Sequence, residues 1–222
     1  MNELIPSFEQ SLFDSSLTDC GIDFLELSID SVLQDGLLKD IPIVGTIVNM
    51  GKFAQNVHDR NLLRQTLTFI NEFNNGNFSP DEVEKHQKKV LASPRKLEEE
   101  LGRILTILNR NIDSIKSVLE AKFYVAYLKR NINWYEFCEL CDITDRLFIS
   151  DINTLEEAYN LGGVTEAMTI SYKHDRLISV GLLTNEARLS GSIFVVDLDS
   201  KSPQYLMELT PIGRCFCDLA FN

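Results

Sequence analysis

The sequence predicts a mainly α-helical protein, in which an N-terminal helical bundle is followed by a winged helix-turn-helix with one β-hairpin. Apolar residues recur at helical spacing through the first part of the chain, and short polar loops separate these repeats. Runs with β-strand character appear only near the C-terminus, after three further helical segments. These observations divide the 222 residues into an acidic N-terminal helix or arm (1–36), a bundle (37–131) and a winged-helix unit (132–222).

The first segment alternates apolar and acidic residues and ends at Asp35-Gly36, a pair that typically stops a helix. Its apolar residues between Ile22 and Leu33 form a helical stripe, so we predict a helix with an acidic outer face. A flexible acidic arm before residue 20 is the alternative that the composition leaves open.

The bundle is predicted to begin with a helix over residues 41–57, because Asp40 can cap it and Pro42 is tolerated in a first turn. Gly45 and Gly51 lack a Cβ beside its apolar side, which would let another helix approach closely. Short loops connect the helices that follow, so we expect antiparallel neighbours. The apolar stripes of these helices run over residues 62–73, 97–108 and 112–128.

The C-terminal unit is predicted from its order of elements. The end of the third helix and the start of the last one resemble a widespread winged-helix pattern, in which "LxxxGLL" precedes a hairpin and "LTxxG" opens the closing helix. Gly181 would leave the helix in a left-handed conformation, and Leu182 and Leu183 would then turn inward. Leu209 would anchor the second strand, and Thr210-Pro211 would cap the last helix. The predicted helices are "NWYEFCELCDITDRLF", "DINTLEEAYN" and "SYKHDRLISVGLLT", and the predicted strands are "SIFVVDL" and "YLMEL".

With this unit in place, the "LKDIPIVGT" stretch and the helices after it resemble bacterial proteins of unknown function, some of them grouped with abortive-infection, phage-defence proteins. The resemblance covers residues 30–222 and rests on packing motifs. It implies a bacterial or phage source and a role in phage defence or its control, and it transfers no catalytic residues.

The distribution of charge bears on the class of partner. The net charge of −12 divides into −8 over residues 1–40, +4 over 41–133 and −8 over 134–222. DNA-binding modules normally concentrate positive charge, because contacts to phosphate dominate their affinity. Here the unit that resembles a DNA-binding fold is acidic, so nucleic acid is not the expected partner.

A DNA-binding regulator nevertheless remains the first alternative. Lys173, His174 and Arg176 lie on the predicted recognition helix, and Arg188 lies near the wing, where each could contact phosphate or base edges. Acidic residues surround all four in the sequence. We therefore prefer a winged helix that contacts a protein, with Lys173 and Arg176 among the contacting residues.

The helix predicted at 41–57 suggests a second surface. Ile43 and Ile47 could contact a partner protein or a membrane interface, although core packing is the simpler interpretation. The uncharged stretch from Ile41 to Gly51 is shorter than the roughly 20 apolar residues of a bilayer span. Stable membrane insertion is therefore not expected.

Two pairs of cysteines, Cys138 with Cys141 and Cys215 with Cys217, supply the ligand count of a structural zinc site. Cys138 and Cys141 fall within an apolar helical stripe, where cysteine behaves as a small hydrophobic residue. Buried thiols are thus the favoured interpretation, and no cofactor is predicted. Five cysteines without an export signal indicate a reduced, cytoplasmic setting.

His58-Asp59-Arg60 could be read as a catalytic cluster, but consecutive helical residues point in different directions. No nucleophile elbow, phosphate loop or metal-ligand spacing accompanies it, so we predict no enzyme activity. The predicted function is protein binding or scaffolding, with another protein or a second copy as partner. A membrane-interface effector acting through 41–57 is the second alternative, and the basic run at 85–97 could dock the acidic N-terminal segment.

Overall fold

The computed structural model describes the chain at residues 3–13, 41–49, 56–76, 85, 88, 93–165, 171–184 and 205–222. Across these residues the protein is mainly helical and carries a small antiparallel sheet, as the sequence predicts. The chain divides into two compact units, Met1–Cys141 and Asp142–Asn222. Their boundary falls within a helix, whereas the boundary predicted at residue 132 lies ahead of that helix.

The first unit is built from helices. Helix α4 contains a π-helical turn, Glu98–Gly102, between the α-helical stretches Pro94–Leu97 and Arg103–Leu108. Among the described helices, α3 (Val57–Asn74) has its most extensive packing contact with α5 (Ser114–Leu128). The described helices of this unit are α1 (Leu4–Leu12), α2 (Pro42–Asn49), α3 (Val57–Asn74), α4 (94–108), α5 (Ser114–Leu128) and the first part of α6 (Trp134–Arg146).

The core of the first unit is aromatic, and Tyr124 on α5 lies at its centre. Its ring centroid is 6.0 Å from that of Phe69, 5.8 Å from that of Phe73 and 5.7 Å from that of Phe137. All four side chains are buried. Because Phe69 and Phe73 are four residues apart on α3, both rings project from one helix face toward Tyr124. The predicted apolar stripe at 62–73 is therefore the face of α3 that enters the core.

A buried polar network joins α3 to the loop before α5. The Gln65 side chain accepts a hydrogen bond from Ser117 Oγ at 2.8 Å and donates one to the Ile112 carbonyl at 3.0 Å. Asn111 donates to Ser117 Oγ at 3.0 Å and to the Glu120 carboxylate at 2.7 Å. A buried polar group is costly without a partner, so these contacts fix how α3 and α5 align.

The structure corrects the prediction of one continuous helix over residues 41–57. Helix α2 spans Pro42–Asn49, and Asn56 is extended, with φ −100° and ψ 100°, where it caps α3. Val57 is consequently 79% exposed instead of lying on the apolar side. A Cβ on Gly45 would meet no atom of the described residues within 4 Å, so no described helix approaches closely at this glycine. Gly51 lies outside the described residues.

The N-terminal segment is helical over α1, and Phe8 and Leu12 on this helix are fully buried. The alternative of a flexible arm is therefore wrong for these residues. Ser7 and Ser11 of α1 contact α2, because Ser7 Oγ lies 2.7 Å from Thr46 Oγ1 and Ser11 Oγ accepts from the Ile43 N–H at 3.0 Å. The helix predicted from the apolar stripe between Ile22 and Leu33 lies outside the described residues, so it stays a prediction.

The second unit combines short helices with a three-stranded antiparallel sheet. Strand β3 lies in the middle, between β1 and β2. Val164 of β1 faces Met207, and Leu183 of β2 faces Leu209, so both outer strands take their register from β3. The elements after α6 are α7 (Ile149–Leu161), β1 (Val164–Thr165), α8 (Tyr172–Ser179), β2 (Leu183–Thr184), β3 (Tyr205–Leu209) and α9 (Pro211–Phe221).

The turn after α8 and the start of α9 fit together through one glycine. Gly181 has φ +82°, which is the left-handed conformation that the sequence predicts, and Leu182 and Leu183 are buried after it. Thr210 caps α9 by accepting the Gly213 N–H at 2.9 Å, and its own N–H donates to the Leu182 carbonyl at 3.1 Å. Gly213 is buried against that same carbonyl.

The run "YLMEL" is confirmed as a strand, since it forms β3. Its predicted hairpin partner "SIFVVDL" lies outside the described residues, so the hairpin stays a prediction. The described partners of β3 are instead the two-residue strands β1 and β2, which the sequence analysis does not predict.

Candidate functional site

Three large apolar side chains are exposed together on the second unit. Phe148 is 61% exposed, Ile149 45% and Tyr172 66%. Phe148 and Ile149 stand at the start of α7, and Tyr172 is the first residue of α8. We refer to these three residues as the aromatic surface. Clusters of exposed apolar side chains on folded proteins typically mark contact sites.

Arg176 ties the aromatic surface together. Its guanidinium carbon lies 4.7 Å from the ring centroid of Phe148 and 4.8 Å from that of Tyr172. Both distances fall within the range of cation–π contact. The two rings therefore come from different helices but contact a common cation, which places them side by side.

The charge of Arg176 is matched by Asp151, whose side chain is fully buried. Arg176 Nε donates to Asp151 Oδ2 at 2.9 Å, and Arg176 Nη2 donates to Asp151 Oδ1. The Phe148 N–H also donates to Asp151 Oδ2, at 3.0 Å, and so caps α7. Asp151 and its hydrogen bonds raise the pKa of Arg176 above its usual value. The aromatic surface is consequently supported by a neutralised ion pair.

The start of α8 positions Tyr172. Ser171 is extended, and its N–H donates to His174 Nδ1 at 3.1 Å, which closes the first turn of the helix. His174 is buried, so its ring belongs to the capping arrangement and faces away from solvent. Tyr172 lies between these two residues in the sequence, and its side chain is exposed on the first turn of α8.

The residues proposed to contact DNA do not form a cationic face in the described part of the chain. Lys173 is half-buried, His174 is buried, and Arg176 is paired with Asp151. The DNA-binding alternative is therefore corrected at His174, because a buried ring cannot contact phosphate or base edges. Arg188 lies outside the described residues. Of the three described candidates, only Lys173 is neither buried nor ion-paired within the described residues.

The other predicted contact residues are in the core. Ile43 and Ile47 on α2 are both buried. Neither side chain can reach a partner or a membrane interface while the unit is folded, so their assignment as contact residues is corrected. Among the described helices, none is both long enough and apolar enough to cross a bilayer.

The four cysteines considered as zinc ligands lie on two helices, α6 and α9. Cys138 and Cys141 lie on α6 in the first unit, and Cys215 and Cys217 lie on α9 in the second. Burial raises the pKa of the Cys217 thiol to about 12, which opposes the thiolate that zinc binding requires. Within the described ranges, no three His, Cys, Asp or Glu side chains group together as metal ligands would.

His58 and Asp59 lie at the exposed start of α3. His58 Nδ1 is 3.8 Å from Asp59 Oδ1, and the Asn56 side chain donates to Asp59 Oδ2 at 2.7 Å. Asp59 thus lies in the first turn of the helix, where a negative charge is favoured. This arrangement explains the pair by helix capping.

A carboxylate and two tyrosines meet in the first unit beside the π-helical turn. Glu100 accepts from Tyr124 Oη at 2.8 Å and from Tyr127 Oη at 3.4 Å. Burial, together with this carboxylate, raises the pKa of Tyr127 to about 12 and holds the pKa of Tyr124 well above its usual value. Both hydroxyls therefore stay protonated at neutral pH and act as donors that satisfy Glu100.

The sequence patterns do not identify Phe148, Ile149 and Tyr172 as contact residues. Each lies at a helix start, where the apolar periodicity of the helix does not show whether a side chain is buried. The available signal was an aromatic residue next to a cap position, as in "RLFISD" and "SYKHD". Comparison with protein-family models, with curated proteins and with solved structures finds no match to this chain.

Proposed function

We propose that this chain is a non-enzymatic protein-binding protein, and that its C-terminal unit is a winged-helix module that contacts a protein through the aromatic surface. One observation carries the proposal. Phe148 at the start of α7 and Tyr172 at the start of α8 are both exposed, and both rings contact the guanidinium of Arg176. Aromatic side chains and arginine are the residue types enriched where proteins bind each other.

The energetics favour a protein as the partner. An aromatic side chain buries a large apolar area on binding and loses little conformational freedom. Arg176 and Asp151 already satisfy each other, so covering them adds little desolvation cost from an unpaired charge. A partner can therefore cover the aromatic surface without disrupting the ion pair between Arg176 and Asp151 beside it.

The electrostatics disfavour duplex DNA. The second unit carries twelve acidic and six basic residues, a net charge of −6 over residues 142–222. Among the described candidates for a phosphate contact, only Lys173 is neither buried nor ion-paired within the described residues. Because phosphate contacts supply most of the affinity for DNA, a face with one such cation binds DNA weakly.

We extend the sequence resemblance to a role in bacterial phage defence or its control, in which the protein occludes or scaffolds a partner.

Site-specific photocrosslinking in bacterial cells tests this proposal. A photoreactive amino acid is placed at position 172 in the full chain, and at position 160 in the control, since Asn160 is exposed near the other end of α7. We expect discrete protein adducts from position 172, which weaken when Phe148 is replaced by Ser.

DNA binding is measured in parallel with the purified full chain and random-sequence duplex DNA. We expect no retention at moderate salt. Salt-sensitive DNA retention that is lost in Lys173→Glu, together with no protein adduct from position 172, would establish the DNA-binding alternative and overturn the proposal.

A further inference from the structure

The exposed face of α7 changes from apolar to acidic along its length. Ile149, Asn153, Glu156 and Asn160 are all exposed, and their spacing of three or four residues places them on one side of the helix. Glu157 is exposed beside Glu156. Seven residues separate Ile149 from Glu156, which corresponds to about 10 Å along the helix axis, or two turns. An apolar end and an acidic end therefore share one helix face.

Helix α8 repeats this arrangement over a shorter distance. Tyr172 and Asp175 are exposed and three residues apart, so they are neighbours on the helix surface. The aromatic surface is thus followed by a carboxylate on α8 as it is on α7. Within the described part of the chain, Glu156, Glu157 and Asp175 form no ion pair.

Helices α7 and α8 themselves supply few cations to balance these acids. Helix α7 contains no lysine or arginine, and on α8 the guanidinium of Arg176 is taken by Asp151. Lys173 is the remaining base on the two helices. A ligand that covers the aromatic surface therefore also meets a negative field on the exposed sides of α7 and α8. Complementarity of charge at such a rim steers association and selects among partners.

We propose that the partner's contacting element is an amphipathic helix with an apolar anchor and, about two turns away, lysine or arginine. The anchor covers Phe148, Ile149 and Tyr172, and the basic residues lie against Glu156 and Glu157, while Asp175 adds negative charge closer to the anchor. This inference rests on the proposed function, because it names the chemistry of the protein that the aromatic surface binds. Helical segments that present such i and i+7 positions are a common mode of recognition between proteins.

Two matched pools of displayed peptides serve as probes. Both pools have randomised apolar residues at helical a and d positions, and they differ only in the charged positions, which are Lys and Arg in one pool and Glu and Asp in the other. The immobilised full-length protein is the bait. We expect the basic pool to be enriched over the acidic pool by about tenfold or more, and the selected peptides to bind about tenfold more weakly to Phe148→Ser.

Charge reversal tests the acidic rim directly. Glu156→Lys is expected to weaken the selected basic peptides by about tenfold at low salt, since one attractive pair becomes repulsive. Glu208→Lys is the matched control, because Glu208 is exposed on β3 in the same unit and the change in net charge is identical. This control should bind like the wild-type protein.

The outcomes separate the inference from the proposed function. Equal enrichment of both pools, or preference for the acidic pool, with dependence on Phe148 overturns the basic-helix inference and leaves a protein-binding surface. Equal losses in Glu156→Lys and Glu208→Lys mean that only net charge matters, which also overturns the inference. Absence of any peptide that depends on Phe148 counts against the proposed function itself.

Discussion

Gly213→Ala is expected to destabilise the second unit without destabilising the first. A Cβ at this position would lie 2.0 Å from the Leu182 carbonyl oxygen and 2.8 Å from its carbonyl carbon. Both neighbours are backbone atoms, which cannot swing aside as a flexible side chain does. An ordinary van der Waals distance would require α9 to move away by about 1.5 Å. This movement would stretch the bond from the Thr210 N–H to the same carbonyl, which is 3.1 Å long.

The magnitude follows from these two effects. Overpacking of a buried site costs about 1–3 kcal/mol, and the loss of one backbone hydrogen bond costs about 1 kcal/mol. The free energy of unfolding of the second unit should therefore fall by about 2–4 kcal/mol. For a unit of 81 residues (142 through 222), each 1 kcal/mol lowers Tm by about 4–8 °C, so we expect a decrease of about 8 °C or more.

Thermal unfolding followed by circular dichroism measures the effect, and tryptophan fluorescence provides an internal reference, since the single Trp134 lies in the first unit. Gly45→Ala is the control, because its Cβ meets no atom within 4 Å in helix α2 and alanine should stabilise that helix by about 0.5–1 kcal/mol. Gly181→Ala should cost about 1 kcal/mol through its left-handed φ alone. If Gly213→Ala melts at the wild-type temperature, the packing of α9 on the Leu182 turn is refuted.

Three further predictions concern the core and the ion pair. Arg176→Gln should lower the urea midpoint more than Asp151→Asn, because only Arg176→Gln leaves a fully buried carboxylate without its cation. A larger decrease of the midpoint in Asp151→Asn would contradict this reasoning. Ile47→Asp should cost about 3 kcal/mol or more by burying a charge, whereas a membrane-binding role would leave the urea midpoint unchanged and release the protein from liposomes. Tyr127 and Cys217 have raised pKa values of about 12 in the folded state, so both favour folding while they are protonated. Their contribution to the free energy of unfolding should be complete at pH values below the pKa values of the unfolded chain, which are about 10 for tyrosine and 8.5 for cysteine. It should be lost as the pH rises toward about 12, and urea titrations across this pH range would measure the loss.

Much of the helical architecture was predictable because its signals are local. The stripe at 62–73 predicted the buried face of α3, and the segment "NWYEFCELCDITDRLF" predicted α6, whose start is capped by Asn133 and Glu136. Gly181 and Thr210 each adopt the conformation that their residue type favours at a helix boundary. In each case a few neighbouring residues determine the structure, so the sequence carries the information directly.

The features that the sequence did not reveal depend on distant contacts. Strands β1 and β2 contain two residues each, which is too short for an alternating pattern, and they exist because β3 pairs with them. The break at Asn56 interrupts an apolar pattern that by itself reads as one helix. The candidate site escaped prediction for a similar reason, since the exposure of Phe148 and Tyr172 depends on where Arg176 and Asp151 meet.

The central position of β3 has a consequence for synthesis on the ribosome. Val164 and Leu183 leave the exit tunnel well before Met207 and Leu209, the residues they face across the sheet. Until β3 emerges, β1 and β2 have no native strand to pair with, and α9, which follows β3 in the chain, is not yet present to close over the Leu182 turn. The second unit is thus expected to fold late and in one step, and a nascent chain paused before residue 205 should be a substrate for chaperones.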